Sequence, residues 1–350
     1  VLSDQKNCRL AEPGEFTKIA FQNNKIDLIK AESIGDLIHA ETELQREQAA
    51  NLVQGHASKY YENLREKLVK SLSYIEAQID FAEDDLPGSV LKEVQKSIKQ
   101  VHTDIKQILE DQKVGEKIRD GFRISIIGDV NAGKSSLLNL LAKRDAAIVS
   151  EEEGTTRDVV ETYLNIDGYP VILADTAGIR KARNKVEKEG IKRAIKKAKE
   201  ADLTLVMIDV SKKTINNDVK KLINKDCILV LNKSDLSKKT PQIEFKKNDQ
   251  ISISVKNSKN IDKLIKTIKE KLSKKFMKAN NILVTRERHR TKLNAALKEI
   301  EKFLKKDQKK EIETAAEDLR LATRHLGGIV GKVDVEEILG SIFQDFCIGK

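Results

Sequence analysis

Gly128-Asp129-Val130-Asn131-Ala132-Gly133-Lys134-Ser135 sets two glycines and a Lys-Ser pair at the spacing of a phosphate-binding loop. The glycines let backbone N–H groups come close to phosphate oxygens. Asn131, Ala132, Gly133, Lys134, Ser135 and Ser136 are therefore candidates to ring a nucleotide's phosphates. Lys134 is expected against the β- and γ-phosphates, and the Ser135 hydroxyl on Mg²⁺. An apolar run precedes this loop. The helix that follows carries Leu137, Leu138 and Leu141 and adds its positive dipole end.

Four further clusters follow in order. Gly154-Thr155-Thr156-Arg157-Asp158 offers Thr156 to complete the Mg²⁺ shell and sense the γ-phosphate, although alone it reads as an ordinary turn. Asp175-Thr176-Ala177-Gly178 ends the run Val171-Ile172-Leu173. There Asp175 is expected to hold Mg²⁺ through water, and the Gly178 N–H to contact the γ-phosphate. Asn232-Lys233-Ser234-Asp235 follows Ile228-Leu229-Val230-Leu231. The Asp235 carboxylate can accept from the ring N–H and exocyclic amine of guanine, and adenine presents a mismatched edge. Ser254-Val255-Lys256 supplies a last contact to the base. Five motifs at the carboxyl ends of successive strands point to a GTP site. Many enzymes of this kind place a water-orienting Gln directly after Asp-x-x-Gly, where this chain has Ile179. Arg157, Arg180 and Arg183 lie nearby, and the sequence assigns none of them as an arginine finger.

The elements that position these residues follow from periodicity. Apolar strands are expected at 122–127, 159–166, 170–175, 203–210, 227–231 and 250–255. Helices are expected near 134–143, 187–200, 215–224 and 260–274. Such alternation predicts a mostly parallel sheet with helices on both faces. Before it, residues 17–118 read as helical. Leu64, Leu68, Leu72, Ile75 and Ile79 share one face, and Leu91, Val94, Ile98, Val101, Ile105 and Ile108 another, with Leu86-Pro87-Gly88 between them. After the α/β region, Leu293, Leu297, Ile300 and Leu304 share a face, as do Ile312, Ala316, Leu319 and Leu326. The predicted fold class is α plus α/β: a discontinuous helical domain with a Ras-like P-loop domain inserted. The expected boundaries are a linker at 1–16, helical parts at 17–120 and 277–350, and the inserted domain at 121–276.

The totals narrow the class. The chain has 350 residues, enough for two or three domains. No run of eighteen apolar residues predicts a membrane span, and no signal-peptide pattern is seen at the start. Cys8, Cys227 and Cys347 match neither a zinc site nor a disulfide framework, which suggests a reducing, cytoplasmic setting. The net charge of +10 is compatible with an RNA partner. A general bias toward Lys, Ile and Asn accounts for it better, and the basic stretches 181–199 and 302–310 read as solvated helix faces.

The P-loop with Asn131, the Gly-Thr-Thr-Arg-Asp loop, the helical parts on either side and the terminal Cys347-Ile348-Gly349-Lys350 together resemble the MnmE (TrmE) family. Arg9-Leu10-Ala11-Glu12-Pro13-Gly14-Glu15-Phe16 resembles the stretch joining that family's first domain to its helices. The resemblance implies a GTPase that modifies C5 of the wobble uridine of certain tRNAs, with carboxymethylaminomethyl or aminomethyl groups. It also implies a flavin-dependent partner, MnmG (GidA), which carries FAD, and a folate-carried one-carbon unit. It further implies a homodimer whose GTPase domains meet across the nucleotides, with K⁺ taking the place of an arginine finger. By the same resemblance Asn131, Ser150, Glu152 and Thr155 belong to the K⁺ site, partly through backbone carbonyls. Lys134, Thr156 and Gly178 act in catalysis, and Glu187 orients the attacking water through a water network. Cys347 is the candidate for a role in the tRNA reaction.

Two features depart from the family. Its folate-binding first domain, which also builds the dimer, is nearly absent, and Val1 rather than Met fits a fragment of a longer product. Glu151, Glu152 and Glu153 place three carboxylates beside the phosphates. The alternative reading is a nucleotide-binding remnant or scaffold, impaired in modification because that domain is missing. A ribosome-assembly GTPase of the Era or Der type would need a KH-type domain or a second P-loop, and the sequence displays neither.

Overall fold

In the computed structural model the described residues are 8–80, 88–144, 161–174, 200–212, 219–220, 223–224, 227–236, 249–276, 282–307 and 310–332. The chain divides into two compact units. One comprises Val1–Ala40, Gln45–Glu116 and Asn281–Lys350, and the other Glu41–Leu44 and Lys117–Asn280.

The first unit is helical: α1 (Glu15–Gln22), α2 (Leu28–Ile38), α3 (Glu43–Val53), α4 (His56–Asp80), α5 (Gly88–Leu109), α9 (Glu287–Lys305) and α10 (Ile312–Val330), with α3 beginning in the other unit. Asp27 caps α2, its side chain accepting from the Lys30 N–H at 2.9 Å. The predicted apolar stripes meet in one core. Leu64, Leu68 and Ile75 of α4 pack with Val94, Ile98, Val101 and Ile105 of α5, while Leu72, Ile79 and Leu91 lie partly buried at its edge. Leu293, Ile300 and Phe303 of α9 and Ala316, Leu319 and Leu326 of α10 complete it. Helices separated by about two hundred residues of sequence thus share a single core. Each fully buried Leu or Ile contributes roughly 1.5–3 kcal/mol.

Charged groups are also buried in this unit. The Arg288 guanidinium forks onto Glu32 (2.6 and 2.6 Å) and donates to the carbonyls of Gly328 (3.2 Å) and Ile329 (3.1 Å). It therefore serves a buried carboxylate and the orphan carbonyls at the end of α10 together. Arg290 donates to both oxygens of Glu116 (2.7 and 2.7 Å), to Asp111 (2.7 Å) and to the Leu109 carbonyl (3.2 Å).

The second unit contains α6 (Val114–Asp120, its first residues shared with the helical unit), β1 (Phe122–Gly128), α7 (Lys134–Arg144), β2 (Glu161–Ile166), β3 (Tyr169–Ala174), β4 (Leu203–Asp209), β5 (Cys227–Asn232), β6 (Asp249–Ser252) and α8 (Ile261–Phe276). The sheet order is β2-β3-β1-β4-β5-β6. β2 runs antiparallel to β3, and the other pairs are parallel. Every residue of β4 and β5 is buried, as strands covered on both faces must be. Strand order reverses at β1, between β3 on one side and β4 on the other, which opens a crevice at the carboxyl ends. The predicted helices at 187–200 and 215–224 lie largely outside the described residues. No helix among the described residues is long and apolar enough to cross a membrane.

Candidate functional site

The loop between β1 and α7 occupies that crevice. Lys134 curls back over it, and its Nζ donates to the carbonyls of Gly128 and Asp129, both at 2.8 Å. Ser135 is half-buried and Ser136 exposed in the first turn of α7. Ala132 is buried, and its N–H donates to the Asp129 carbonyl at 3.2 Å. Asn131 is exposed and holds a left-handed backbone, φ +65°. Gly133 is dictated twice. Its φ is +101°, and a Cβ there would stand 2.4 Å from Nδ2 of Asn232.

Asn232 ends β5 with only 3% of its surface exposed. Its Nδ2 donates to the Ala132 carbonyl at 2.8 Å, and its Oδ1 accepts from the Val255 N–H at 3.1 Å. One buried amide thus ties the phosphate loop to the loop after β6. The Ser254 hydroxyl donates to Oδ1 of Asp235 at 2.6 Å and accepts from the Asn257 N–H at 3.3 Å. The Ser234 N–H donates to the Ile253 carbonyl at 3.1 Å. Loop 254–260 is closed by the Ser254–Lys259 bridge and by Asn260, whose Nδ2 donates to the Ser252 carbonyl at 2.7 Å. Asp235 itself is exposed. The Ser254 hydroxyl first, then Lys256 and Lys233, hold its carboxyl below the usual range, so it is an anion at neutral pH. An exposed, oriented carboxylate beside a phosphate loop can accept two parallel N–H bonds from a base edge.

The structure therefore brings together, at the carboxyl ends of β1, β5 and β6, the residues read from sequence as Asn131 to Ser136, Asn232, Lys233, Asp235, Ser254, Val255 and Lys256. Ser150, Glu152, Thr155, Thr156, Asp175, Thr176, Ala177, Gly178, Glu187 and Cys347 lie outside the described residues. Sequence reading passed over Asp209. It closes β4, is 5% exposed, and accepts from Lys233 Nζ at 2.6 Å. The one available signal was an acid ending an otherwise apolar strand.

This fold and site define a P-loop nucleotide-binding domain of the GTPase class, carried within a helical chain. A family model described as the MnmE helical domain matches residues 28–347. The tRNA modification GTPase MnmE of Pelagibacter ubique (strain HTCC1062) is 58% identical over 349 residues, covering 100% of this chain and 79% of the relative. That of Rickettsia bellii (strain RML369-C) is 44% identical over 346 residues, covering 98% and 77%. Among solved structures, Era in complex with MgGDPNP and nucleotides 1506–1542 of 16S ribosomal RNA is similar at 30% identity. It covers 43% of this chain and 56% of that one, with a TM-score of 0.34. The chain belongs to the MnmE family of tRNA modification GTPases.

Proposed function

We propose that the chain binds and hydrolyses GTP, and that this cycle drives C5 modification of the wobble uridine of tRNA together with the flavin-dependent protein MnmG. The observation that carries the reading is the pair of hydrogen bonds made by the Asn232 amide, one donated to the Ala132 carbonyl and one accepted from the Val255 N–H, which joins phosphate and base loops into one cradle. Membership of the MnmE family supports the tRNA substrate.

In this reading the N–H groups around Gly133 and the Lys134 ammonium hold the phosphates. To do so, Lys134 leaves the carbonyls of Gly128 and Asp129 for the β- and γ-phosphate oxygens. Asp235 selects guanine, with Ser254 holding its carboxylate. Ser135, Thr156 and Asp175 are all oxygen donors, a set that suits Mg²⁺. Bound there, Mg²⁺ supplies positive charge to the β- and γ-phosphate oxygens. Asn131, with Ser150, Glu152 and Thr155, offers oxygens suited to K⁺, which would add positive charge in place of an arginine finger. Glu187 orients water for attack on the γ-phosphorus, and the bond to the β–γ bridging oxygen breaks. Thr156 and Gly178 respond to the loss of the γ-phosphate, and their movement passes to the helical unit. Two copies pair through their GTPase domains. FAD is carried by the partner, the one-carbon unit by folate, and Cys347 acts in the tRNA reaction. The setting is the cytoplasm.

The test is GTP turnover by the purified chain in matched KCl and NaCl. Turnover rising steeply in K⁺, and lost in Glu187→Ala with nucleotide binding kept, supports the reading. Unchanged turnover in Glu187→Ala removes that residue from the mechanism.

A further inference from the structure

Resting on the guanine-nucleotide reading above, we infer that Asp209 is a positioning residue for base recognition: it captures the Lys233 ammonium and so leaves the Asp235 carboxylate to the base.

The register places the pair. Asp209 and Asn232 are direct partners across β4 and β5, so Asp209 stands beside the residue preceding Lys233. Lys233 adopts φ +65°, uncommon for a residue with a side chain, and its ammonium meets Oδ2 of Asp209 at 2.6 Å. The Asp209 side chain is 3% exposed and that of Lys233 31%. The other carboxylate oxygen of Asp209 accepts from the Ser211 N–H (3.0 Å) and hydroxyl (2.6 Å). Burial pushes this carboxyl up. The bonds from Lys233 and Ser211 outweigh burial and hold it below the usual range. Asp209 is thus a fixed anion, oriented by Ser211 on one oxygen and by Lys233 on the other.

The consequence lies at Asp235. Lys233 and Asp235 are two residues apart, and the Lys233 charge already bears on the Asp235 carboxyl. A free ammonium on a four-carbon stem would compete for that carboxylate, and a guanine edge would have to displace it. Asp209 removes the competitor by holding it with a buried, preorganised partner. Its second effect is to fix the course of the Lys233 side chain by holding its ammonium.

The experiment measures dissociation constants for GDP and IDP, which lacks the 2-amine, on the full chain. For the wild type, GDP binds more tightly than IDP. In Asp209→Asn the ratio falls about tenfold, the worth of one well-made charge-assisted bond. In Asp209→Asn/Lys233→Met, with both charges gone and the stem kept, the ratio recovers to within about threefold of wild type. A merely structural Asp209 would weaken both nucleotides alike, and the second change would not rescue it; either result overturns the inference. If Asp209→Asn does not fold, Ser211→Ala takes one donor from Asp209 and must lower the ratio in the same direction; an unchanged ratio overturns the inference. A wild type indifferent to the 2-amine overturns the guanine reading itself, and this inference with it.

Discussion

Asn232 and Ala132 are one hundred residues apart, yet the amide of one donates to the carbonyl of the other at 2.8 Å in a fully buried contact. The same amide accepts from Val255. Asn232→Ala would leave a buried carbonyl and an N–H without their partner, at roughly 1–3 kcal/mol each. Nucleotide affinity is expected to fall about ten- to a hundredfold, at both phosphate and base ends. Titration with GDP and with a guanosine lacking phosphates checks this. A loss confined to one of the two ligands would contradict the bridging role.

Arg290 and Glu116 form the second such pair, with Asp111 alongside. The Arg290 side chain is 9% exposed. Removing one member strands the other, and Arg290→Met is expected to destabilise the helical unit by about 3–5 kcal/mol. Arg290→Met/Glu116→Leu should regain much of that loss, since no unpaired charge remains at Glu116. Urea denaturation followed by far-UV circular dichroism reads both variants.

Gly115 packs against the backbone of the returning segment. A Cβ there would stand 2.1 Å from the Val284 carbonyl oxygen and 2.5 Å from the Ile282 side chain. Backbone cannot yield as a flexible side chain can, so Gly115→Ala is expected to cost roughly 1–3 kcal/mol. Thermal melting measures it. An unchanged melting temperature would mean that the two segments separate easily.

Acid should destabilise the helical unit from near neutrality. His289 is 1% exposed. Its Nε2 lies 3.2 Å from Glu32, and its Nδ1 is buried with no hydrogen-bond partner among the described residues. Burial pushes its pKa down. Glu32 opposes this, and Arg288 and Arg286 add to the lowering. The pattern fits a neutral ring donating from Nε2, with the tautomer assigned from these partners. Tyr61 of α4 lies against the ring, with centroids 6.5 Å apart. The unfolded chain therefore takes up the proton first, and stability falls as pH drops below about 6.5. Glu32 adds a second loss of the same sign. Burial pushes its carboxyl up, but His289 and Arg288 hold it well below the usual range. Its contribution is present above about pH 4.5 and lost below that. Urea midpoints between pH 8 and 4 should decline in these two windows, and His289→Gln should flatten the upper one.

The phosphate loop, the base loop and the apolar stripes of α4, α5, α9 and α10 were legible because each is a local pattern, either a fixed spacing or a periodicity of three and four. What stayed hidden was long-range and polar. Glu32 meets Arg288 and His289 across more than 250 residues, and no local spacing around Thr285–Arg290 announces that pairing. Asp209 was hidden differently. It fell inside a predicted strand, where periodicity records only whether a residue is apolar. Its meaning comes from the β4–β5 register, which no single segment reveals.

Hydrolysis of GTP and ATP side by side, by wild type and Asp235→Ala, shows whether this site selects guanine and cleaves its triphosphate. The wild type is expected to turn over GTP in KCl with Mg²⁺ and leave ATP intact, and Asp235→Ala to lose GTP turnover at micromolar substrate. Equal use of ATP, or an Asp235→Ala variant as active on GTP as the wild type, would contradict that expectation.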